Sequence, residues 1–589
     1  MPSVIIPARP NFTAQFFVLF VFSLTFILPA SYGQSIQSPA SEEQRRRAQA
    51  DAEDRLQRID EPRVSLPEEQ QNQPDSLAMA DLPTETPCFT LNRLILTTSP
   101  RLPPRTQRAG ASTLPLDPFY FAHDYLQHYQ GHCVGHDGLN LIIKRLSGII
   151  LQKGYSTTRV GIEEQDLSMG QLNLILIPGV IRTIQFDNPD LSGTWRNAFP
   201  TGPGQLLNLR DLEQGIEQMK RVPSQDVDMQ LIPADTPGES DVLLSVQRSK
   251  AWKVSANLDN SGAQSTGKLQ GGVNISLDNT FGLSDMFNIG INSDAGHDGI
   301  ERGTTGHSAY YALPLGYWYY SMAASDYDYH QEVAGVDQTY LSSGKSKNLD
   351  LKFNYLFQRN QTQKNSLQFN ISKRWSHAYI DDTEIVVQKR NVTYVELGWV
   401  HKHYFGDAQL DLTLAERCGT SWFGGQSDAP NRPQEFPTYV YTLQTVDATS
   451  NMPFLIEDQL FNYSTTLRGQ ATHSHLYLAD EFSIGGRYTV RGFDGELTLA
   501  AERGFYLRNE ISTPISGSGH TVYAGIDVGK VFGPSVESLV GSKLAGAAIG
   551  LRGNFQNFLY DVFTSWPVSR PTQFATAVPA IGFSLTMQY

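Results

Sequence analysis

Apolar and polar residues alternate along the chain from residue 249 to residue 589. The segments with the clearest alternation are 349–357, 367–375, 410–414 and 581–589. In the first of these, every second position is apolar, and these positions are Leu349, Leu351, Phe353, Tyr355 and Phe357. Because successive side chains of a strand point to opposite faces, the pattern predicts strands with one apolar face.

A closed membrane barrel explains these strands better than a soluble β-sandwich does. Their polar faces include charged residues, which a water-filled lumen tolerates, and several segments end in aromatic residues. The pattern continues to Tyr589, and an open sheet edge is not tolerated in lipid. The separable segments predict an all-β transmembrane barrel of about 16 antiparallel strands in residues 249–589.

Residues 87–248 have a different pattern, which predicts two small α/β modules at 87–180 and 181–248. Each module reads as a strand, helical segments and two further strands. In the second module, Leu209, Leu212, Ile216 and Met219 recur at helical spacing. Leu212 and Ile216 are interpreted as core residues, and an exposed groove near them is the alternative.

The N-terminal region combines an export signal, a polar helix and a linker. Residues 1–33 contain an apolar run and small residues before Gln34, which predicts a cleaved signal peptide, with a signal anchor as the alternative. Residues 34–60 predict a charged helix without an apolar stripe. Residues 61–86 are rich in proline, glutamine and acidic residues, and they predict a flexible linker.

The net charge and the cysteine content limit which partners, covalent bonds and ligands the chain is expected to have. The formal net charge of −14 argues against a nucleic-acid partner, which requires clustered Lys and Arg. The cysteines are Cys88, Cys133 and Cys418, and an exported chain permits a disulfide. His132 and His136 flank Cys133, but a four-ligand metal spacing is not present. A nucleophile elbow and a catalytic metal motif are also missing. The sequence therefore predicts neither an enzyme nor a cofactor or metal site.

Three segments carry a resemblance to a known family. They are residues 154–181, the VRGF motif of Val490, Arg491, Gly492 and Phe493, and the segment GIDVGKVFG at 525–533. In this order they resemble the outer-membrane transporters of two-partner secretion. These are the TpsB proteins, the hemolysin-activator and filamentous-hemagglutinin transporter family. The resemblance covers nearly all of the chain after the signal segment.

The resemblance implies a fold and a function. The two modules would be POTRA domains in the periplasm, and the barrel would lie in the outer membrane. The POTRA domains would recognise an unfolded, secreted TpsA protein of hemolysin, adhesin or toxin type, and the barrel would export it. The N-terminal helix is then a candidate pore plug. Membrane lipid and the barrel-assembly machinery would be further partners. A factor that inserts other barrels is the alternative function, and a passive porin or an outer-membrane enzyme is a third.

The resemblance also implies that the VRGF loop folds back into the barrel lumen. An arginine in that position needs a carboxylate, because an unpaired and partly desolvated charge is costly. Asp527 is the predicted partner of Arg491, since Gly525 and Gly529 leave room beside it. A solvent-exposed loop arginine without a partner is the alternative.

Four further residues receive roles from the resemblance. Cys88 and Cys133 match a cysteine pair of the first POTRA module and would form a disulfide, which leaves Cys418 free. Phe583 and Tyr589 would belong to the C-terminal assembly signal. The family usually ends in Phe where this chain has Tyr589.

Overall fold

The structure is a computed structural model that describes residues 39–59, 61–65, 81–110, 117–191, 193–296, 301–515 and 517–589. The predicted signal peptide at 1–33 lies outside the described residues. Helices in the described chain are α1 (Pro39–Ile59), α2 (Pro104–Ala109), α3 (Tyr120–Gln127), α4 (His136–Gln152) and α5 (Leu209–Lys220). None of these helices is both long enough and apolar enough to cross a membrane.

The first module packs α3 and α4 against a three-stranded sheet of order β2-β5-β4. Its strands are β1 (Phe89–Thr90), β2 (Arg93–Thr98), β3 (Cys133–Val134), β4 (Arg159–Ile162) and β5 (Gln171–Ile177). The apolar face of α4 supplies Ile142, Leu146 and Ile150 to the core, as helical spacing predicts. Strand β5 ends before Pro178, because proline has no N–H to continue a ladder.

The second module packs α5 on a sheet of order β6-β8-β7. Its strands are β6 (Val180–Phe186), β7 (Gln225–Pro233) and β8 (Glu239–Arg248). Leu212 and Ile216 are buried in the core between α5 and the sheet. The core interpretation of these two residues is therefore confirmed.

Sixteen strands of the described chain close into an antiparallel barrel, as predicted. The first eleven of them are β9 (Trp252–Asp259), β10 (Gln270–Asp278), β11 (Met286–Asp294), β12 (Arg302–Leu315), β13 (Trp318–Ala334), β14 (Thr339–Arg359), β15 (Gln363–Ile380), β17 (Arg390–Phe405), β18 (Ala408–Thr420), β19 (Thr442–Ile456) and β20 (Gln459–Thr472). The last five are β23 (Arg503–Ile515), β24 (His520–Phe532), β25 (Lys543–Phe555), β26 (Phe558–Ser569) and β27 (Ala580–Gln588). The two-residue strand β16 (Thr383–Glu384) extends β15, and pairing of β27 with β9 closes the barrel.

A short hairpin lies apart from the barrel ladder, in the long connection between β20 and β23. It consists of β21 (Phe482–Ile484) and β22 (Leu499–Ala501). The second module contacts one end of the barrel, where Asn197 donates to the carbonyls of Leu283 at 2.6 Å and Pro314 at 3.0 Å. We call this end the module end and the other the far end.

Candidate functional site

The barrel wall separates an apolar outer surface from a polar lumen. On β27, Ile581, Leu585 and Met587 are exposed on the outer surface. The lumen surface carries charged residues on several strands, among them Asp350, Lys352, Arg374, Glu396, Arg417, Asp447 and Arg468. An apolar exterior with a polar interior is the arrangement expected of a membrane barrel that encloses water.

Helix α1 runs through this lumen from the far end to the module end. Near its start, Glu42 accepts a hydrogen bond from the hydroxyl of Thr266 at 2.7 Å. Near its end, the carbonyl of Arg58 accepts from the ammonium of Lys402 at 2.7 Å. The helix has no apolar stripe, and its polar surface faces a polar wall, which explains why a charged helix is stable inside the barrel.

Ion pairs hold α1 to the wall along most of its length. Arg55 pairs with Asp447 at 3.0 Å, and Arg468 of the wall pairs with Asp51 of the helix at 2.7 Å. Glu43 of the helix also pairs with Arg374 at 3.2 Å. Two further pairs are Arg47–Asp480 at 3.1 Å and Lys352–Asp54 at 3.4 Å. The helix and the wall each contribute positive and negative side chains. The contact therefore depends on pairs of opposite charges along the helix and not on one patch of a single charge.

A cavity of about 540 Å³ remains between α1 and the wall. Its lining includes Asp51 and Asp54 from the helix and Asn348, Asn370 and Gln470 from the strands. The helix therefore occupies the lumen without filling it. If α1 left the barrel, this cavity would join the volume of the helix to form a continuous polar channel.

The connection between β20 and β23 folds back into the barrel. Val490 and Phe493 are buried in an apolar cluster with the hairpin residues Ile484 and Leu499. The ring of Phe493 meets the ring of Phe574 edge-on, with centroids 5.4 Å apart. This connection also contacts α1, since Asp480 is the partner of Arg47. We call residues 473–502 the inner loop.

Arg491 of the inner loop binds Asp527 of β24 through two parallel contacts. Its Nε lies 2.7 Å from Oδ2 and its Nη2 lies 2.8 Å from Oδ1. The backbone N–H of Arg491 also donates to Asp527 at 2.9 Å. Asp527 is fully buried and Arg491 is 4% exposed. A bidentate guanidinium–carboxylate pair gives both strength and a fixed geometry.

Arg491 has a second carboxylate partner that the sequence analysis did not name. Its Nη1 lies 2.6 Å from Glu510 of β23, and Glu510 also pairs with Arg552 of β25. Arg508 lies 3.9 Å from Asp527. Arg491 is therefore one member of a network of alternating charges across three neighbouring strands.

Small residues make the approach of the loop possible. A Cβ atom on Gly525 would collide with the guanidinium of Arg491, so the strand can accept the arginine only because this position lacks a side chain. Gly492 has a φ of +106°, and a Cβ there would lie 2.5 Å from the carbonyl oxygen of Trp566. Glycine tolerates this backbone conformation, whereas other residues rarely adopt it.

The polar face of α5 is buried against the module end of the barrel. Gln218 donates to the carbonyl of Gly316 at 2.9 Å. Arg359 of β14 contacts Glu217 at 2.6 Å and Glu213 at 3.3 Å, and Lys364 of β15 contacts Glu217 at 2.6 Å. We call this contact the module joint. Burial alone would raise the pKa of the Glu217 carboxyl, but the charges of Lys364 and Arg359 outweigh burial and hold that pKa below its usual range.

The described start of the predicted flexible linker, residues 61–65, contacts the module joint. Glu61 pairs with Arg221 of α5 and with Lys402 of the barrel. The N–H of Val64 donates to Glu217 at 2.7 Å, and its carbonyl accepts from Arg359 at 3.0 Å. These contacts fix the segment although its composition is that of a mobile chain.

The other end of the predicted linker is also fixed. The carboxylate of Glu85 accepts the N–H groups of Asp137 and Gly138 at 2.7 Å each, which caps the N-terminus of α4. Leu82 packs against the core of the first module. Residues 66–80 lie outside the described residues, so the prediction of flexibility stands untested there.

The cysteines of the first module form a disulfide. Cys88 and Cys133 are joined with their Cα atoms 5.4 Å apart, which links the β1–β3 pair at the entry of α4. Cys418 is free. The described residues contain no group of His, Cys, Asp or Glu side chains that could hold a metal ion.

The last strand completes the barrel seam. Phe583 donates its N–H to Asn260 at 2.9 Å, and Tyr589 exchanges backbone hydrogen bonds with Val254. The ammonium of Lys250 lies 3.9 Å from the centre of the Tyr589 ring. These contacts place Phe583 and Tyr589 at the junction of β27 with β9. Their predicted role as an assembly signal remains a prediction.

Comparison with known proteins gives the family. Residues 238–553 match the model described as haemolysin secretion/activation protein ShlB/FhaC/HecB. Residues 110–179 match a POTRA domain of ShlB type, and residues 180–233 match a further POTRA domain. The chain belongs to the ShlB/FhaC/HecB family. Its outer-membrane barrel and two POTRA modules are those that the sequence predicted.

Individual relatives of the ShlB/FhaC/HecB family support this membership over nearly the whole chain. The outer membrane transporter CdiB-2 of Burkholderia pseudomallei is 45% identical over 94% of this chain and 97% of the relative. The hemolysin transporter protein HpmB of Proteus mirabilis is 27% identical over 68% of this chain and 71% of the relative. The solved structure of CdiB from Acinetobacter baumannii superposes with a TM-score of 0.80 at 26% identity, covering 94% of this chain and 100% of that one.

Membership assigns a location to each part of the molecule. The barrel lies in the bacterial outer membrane and the POTRA modules lie in the periplasm. The module end is therefore periplasmic and the far end is extracellular. The chain is a transporter of the two-partner secretion type and not an enzyme, because the members of the family found here are transporters. This decides between the functions that the sequence left open.

The charges that surround Arg491 and Asp527 have no signal in the sequence. Glu510 and Arg552 lie in strands with ordinary alternation, and their proximity to Arg491 depends on the register of β23, β24 and β25. The barrel also covers Glu213 and Glu217 of α5, and no pattern in the sequence indicates this. A buried network of this kind leaves no local signal in one sequence, because its partners come from distant segments.

Proposed function

We propose that the chain binds an unfolded, secreted TpsA-type protein, of hemolysin, adhesin or toxin type, and exports it through the barrel. The observation that carries the proposal is the polar lumen occupied by α1, a helix that is held by ion pairs and not by an apolar core. Most of these charged side chains line the cavity beside α1, so water can solvate them once the helix leaves. A plug of this type closes the pore at rest and leaves it when a client arrives.

The edge of β7 is the proposed docking strand for the client. It is the outer strand of its sheet, nine residues long, and its first residue, Gln225, hydrogen-bonds Ser284 of the barrel at 3.3 Å. An extended client that adds to this edge would gain main-chain hydrogen bonds without a sequence requirement. The strand leads toward the barrel rim, so a client bound there would lie next to the pore entrance.

The inner loop is proposed to keep the emptied channel in a conducting shape. Arg491 fixes the loop to β24, and the cluster around Phe493 fixes it to neighbouring strands. With α1 removed, this loop would remain as an ordered side of the channel. Membrane lipid would contact the apolar outer surface, and the barrel-assembly machinery would recognise the last strand, including Phe583 and Tyr589.

Site-specific photo-crosslinking in the full chain tests the client site. A crosslinking residue replaces Gln230, which is exposed on β7, and a matched control replaces Asn173, which is exposed on β5 in the middle of its sheet. The probe is the N-terminal secretion domain of the co-encoded secreted protein. We expect adducts at residue 230 and few at residue 173. Equal labelling at both positions would remove β7 as the docking strand.

Deletion of residues 39–59 tests the plug. The shortened protein should form channels in planar bilayers that stay open, whereas the full chain should be mostly closed. If the two proteins conduct equally, α1 does not close the pore.

A further inference from the structure

Glu61 connects three parts of the molecule that would otherwise meet only in pairs. It follows the last helical residue of α1 by two positions. Its Oε1 lies 3.0 Å from Arg221, at the C-terminal end of α5, and its Oε2 lies 3.1 Å from Lys402 of β17. One carboxylate thus joins the chain of the plug, the second POTRA module and the barrel.

Both cations that contact Glu61 also contact a part of the molecule other than their own. The guanidinium of Arg221 lies 4.3 Å from the centre of the Tyr319 ring, so Arg221 also contacts the barrel. The ammonium of Lys402 donates to the carbonyl of Arg58 at 2.7 Å and pairs with Asp411 at 3.3 Å. Lys402 therefore holds the last turn of α1 and the residue that follows it at the same time.

Glu61 is required at this contact because its carboxylate neutralises the two cations, Arg221 and Lys402, that meet there. Lys402 is 6% exposed, so it is largely shielded from solvent. Without the carboxylate, two cations would face each other across a partly desolvated gap, which is unfavourable. Burial opposes ionisation of Glu61, but Arg221 and Lys402 outweigh burial and hold its pKa well below the usual range. The carboxylate is therefore charged under all physiological conditions.

We propose that Glu61 is the positioning residue that couples the plug to the module joint. The inference rests on the proposed function of α1 as a plug and names the residue that regulates it. When the second POTRA module shifts away from the barrel, Arg221 moves with α5 and Glu61 loses one of its two cations. The end of α1 is then held by Lys402 alone, and the helix is released more readily at its periplasmic end.

The coupling must act in both directions, because it is a free energy shared by two equilibria. Undocking of the module favours an empty pore, and an empty pore favours undocking of the module. Client binding at the POTRA modules could open the channel in this way without touching α1. The ion pairs farther along the helix, such as Arg55–Asp447, would then separate in sequence.

A double-mutant cycle in the full chain measures the coupling. Arg359→Gln loosens the module joint at Glu213, Glu217 and the carbonyl of Val64, and Arg359 does not contact the side chain of Glu61. Glu61→Ala removes the proposed connection. Glu53→Gln is the matched control, since Glu53 lies on α1 and hydrogen-bonds Gln49 within the helix. Open probability in planar bilayers reports the plug.

The state of the module joint is followed in the same variants by a distance between two spin labels. One label replaces Asp228 of the second POTRA module and the other replaces Asp407 of a periplasmic barrel turn, both exposed, in a chain with Cys418→Ser. This measurement shows directly whether Arg359→Gln has loosened the joint.

We expect Arg359→Gln to raise the open probability about fivefold or more, the usual lower range of allosteric coupling. Glu61→Ala should raise it as well, and Arg359→Gln should add little in the Glu61→Ala background. Glu53→Gln should behave like the unmodified chain.

The proposal is overturned if Arg359→Gln loosens the joint and leaves the open probability unchanged, or if the two substitutions multiply their effects. Failure of the plug itself is a separate outcome, because deletion of residues 39–59 would then leave the channel closed.

Discussion

The guanidinium of Arg491 and the carboxylate of Asp527 form a buried bidentate pair, with Nε 2.7 Å from Oδ2 and Nη2 2.8 Å from Oδ1. The pair joins the inner loop to the barrel wall behind α1. It lies in the lumen and not on the lipid-facing surface. Its loss should therefore affect the loop and leave membrane insertion intact.

Arg491→Ala should leave a folded, heat-modifiable barrel but strongly reduce secretion of the partner. Removing one member of a buried pair costs about 3–5 kcal/mol, because the other charge loses its partner. Arg491→Lys should fail similarly, since an ammonium cannot reproduce the two parallel contacts. Secretion is measured in culture supernatant, with Arg432→Ala in an extracellular loop as the control. Normal secretion by Arg491→Ala would show that the loop does not need this anchor.

Exchange of the two residues should not rescue secretion, although a simple pair would allow it. In the double variant Arg491→Asp and Asp527→Arg, the new carboxylate at position 491 would face Glu510, which now lies 2.6 Å from Arg491. Two like charges at this distance repel each other. Full recovery by the exchange would mean that Glu510 has no part in the site.

The barrel could be predicted from sequence because alternation on β14, β15 and β27 is a local property of each strand. Arg491 could be matched to Asp527 because a motif marks the first and two glycines flank the second. Glu510 and Arg552 could not be found, since only the register of three strands brings them together. The sequence therefore predicts which face of each strand is apolar. It does not predict which charged residues of different strands lie next to each other.

The second module shows the same limit in a helix. The apolar side of α5 was predicted correctly, down to Leu212 and Ile216 in the core. Its charged side has no such pattern, and charged residues usually lie at a solvated surface. Glu213 and Glu217 are buried because Arg359 and Lys364 arrive from the barrel. The contacts of Glu61 and Val64 could not be predicted for the same reason, since their partners are also distant in sequence.

The ion pairs along α1 should make closure of the pore dependent on salt. Raising ionic strength from 0.1 M to 1 M shortens the Debye length from about 10 Å to about 3 Å and weakens partly exposed pairs. The open probability in planar bilayers should rise severalfold over this range. Asp51→Asn, which removes the partner of Arg468, should shift the rise to lower salt, and Glu53→Gln should not. A salt-independent open probability would contradict an electrostatic hold on the helix.

Loss of the disulfide should destabilise the first POTRA module and leave the barrel unaffected. The bond closes a loop with a sequence separation of 45 residues, which predicts a stabilisation of about 4 kcal/mol on the chain-entropy view. In Cys88→Ser with Cys133→Ser, hydrogen exchange in α4 and β5 of the full chain should accelerate. Cys418→Ser is the control and should exchange like the unmodified protein. Unchanged protection of α4 in the double variant would show that the module's core holds it without the bond.

The module joint should hold from neutral pH to about pH 4 and weaken below it. The pKa values of Glu61 and Glu217 are lowered in the folded protein by the cations around them, whereas a free glutamate titrates near 4.3. A lowered folded pKa gives stability that is present above the free value and is lost as pH falls through the folded value. The labels at positions 228 and 407 should show one narrow distance at pH 7 and a broad distribution well below pH 4. Arg359→Gln should already be broad at pH 7, and a distance that broadens between pH 7 and about pH 5 in the unmodified joint would show that other groups hold it, because these carboxylates stay ionised in that range.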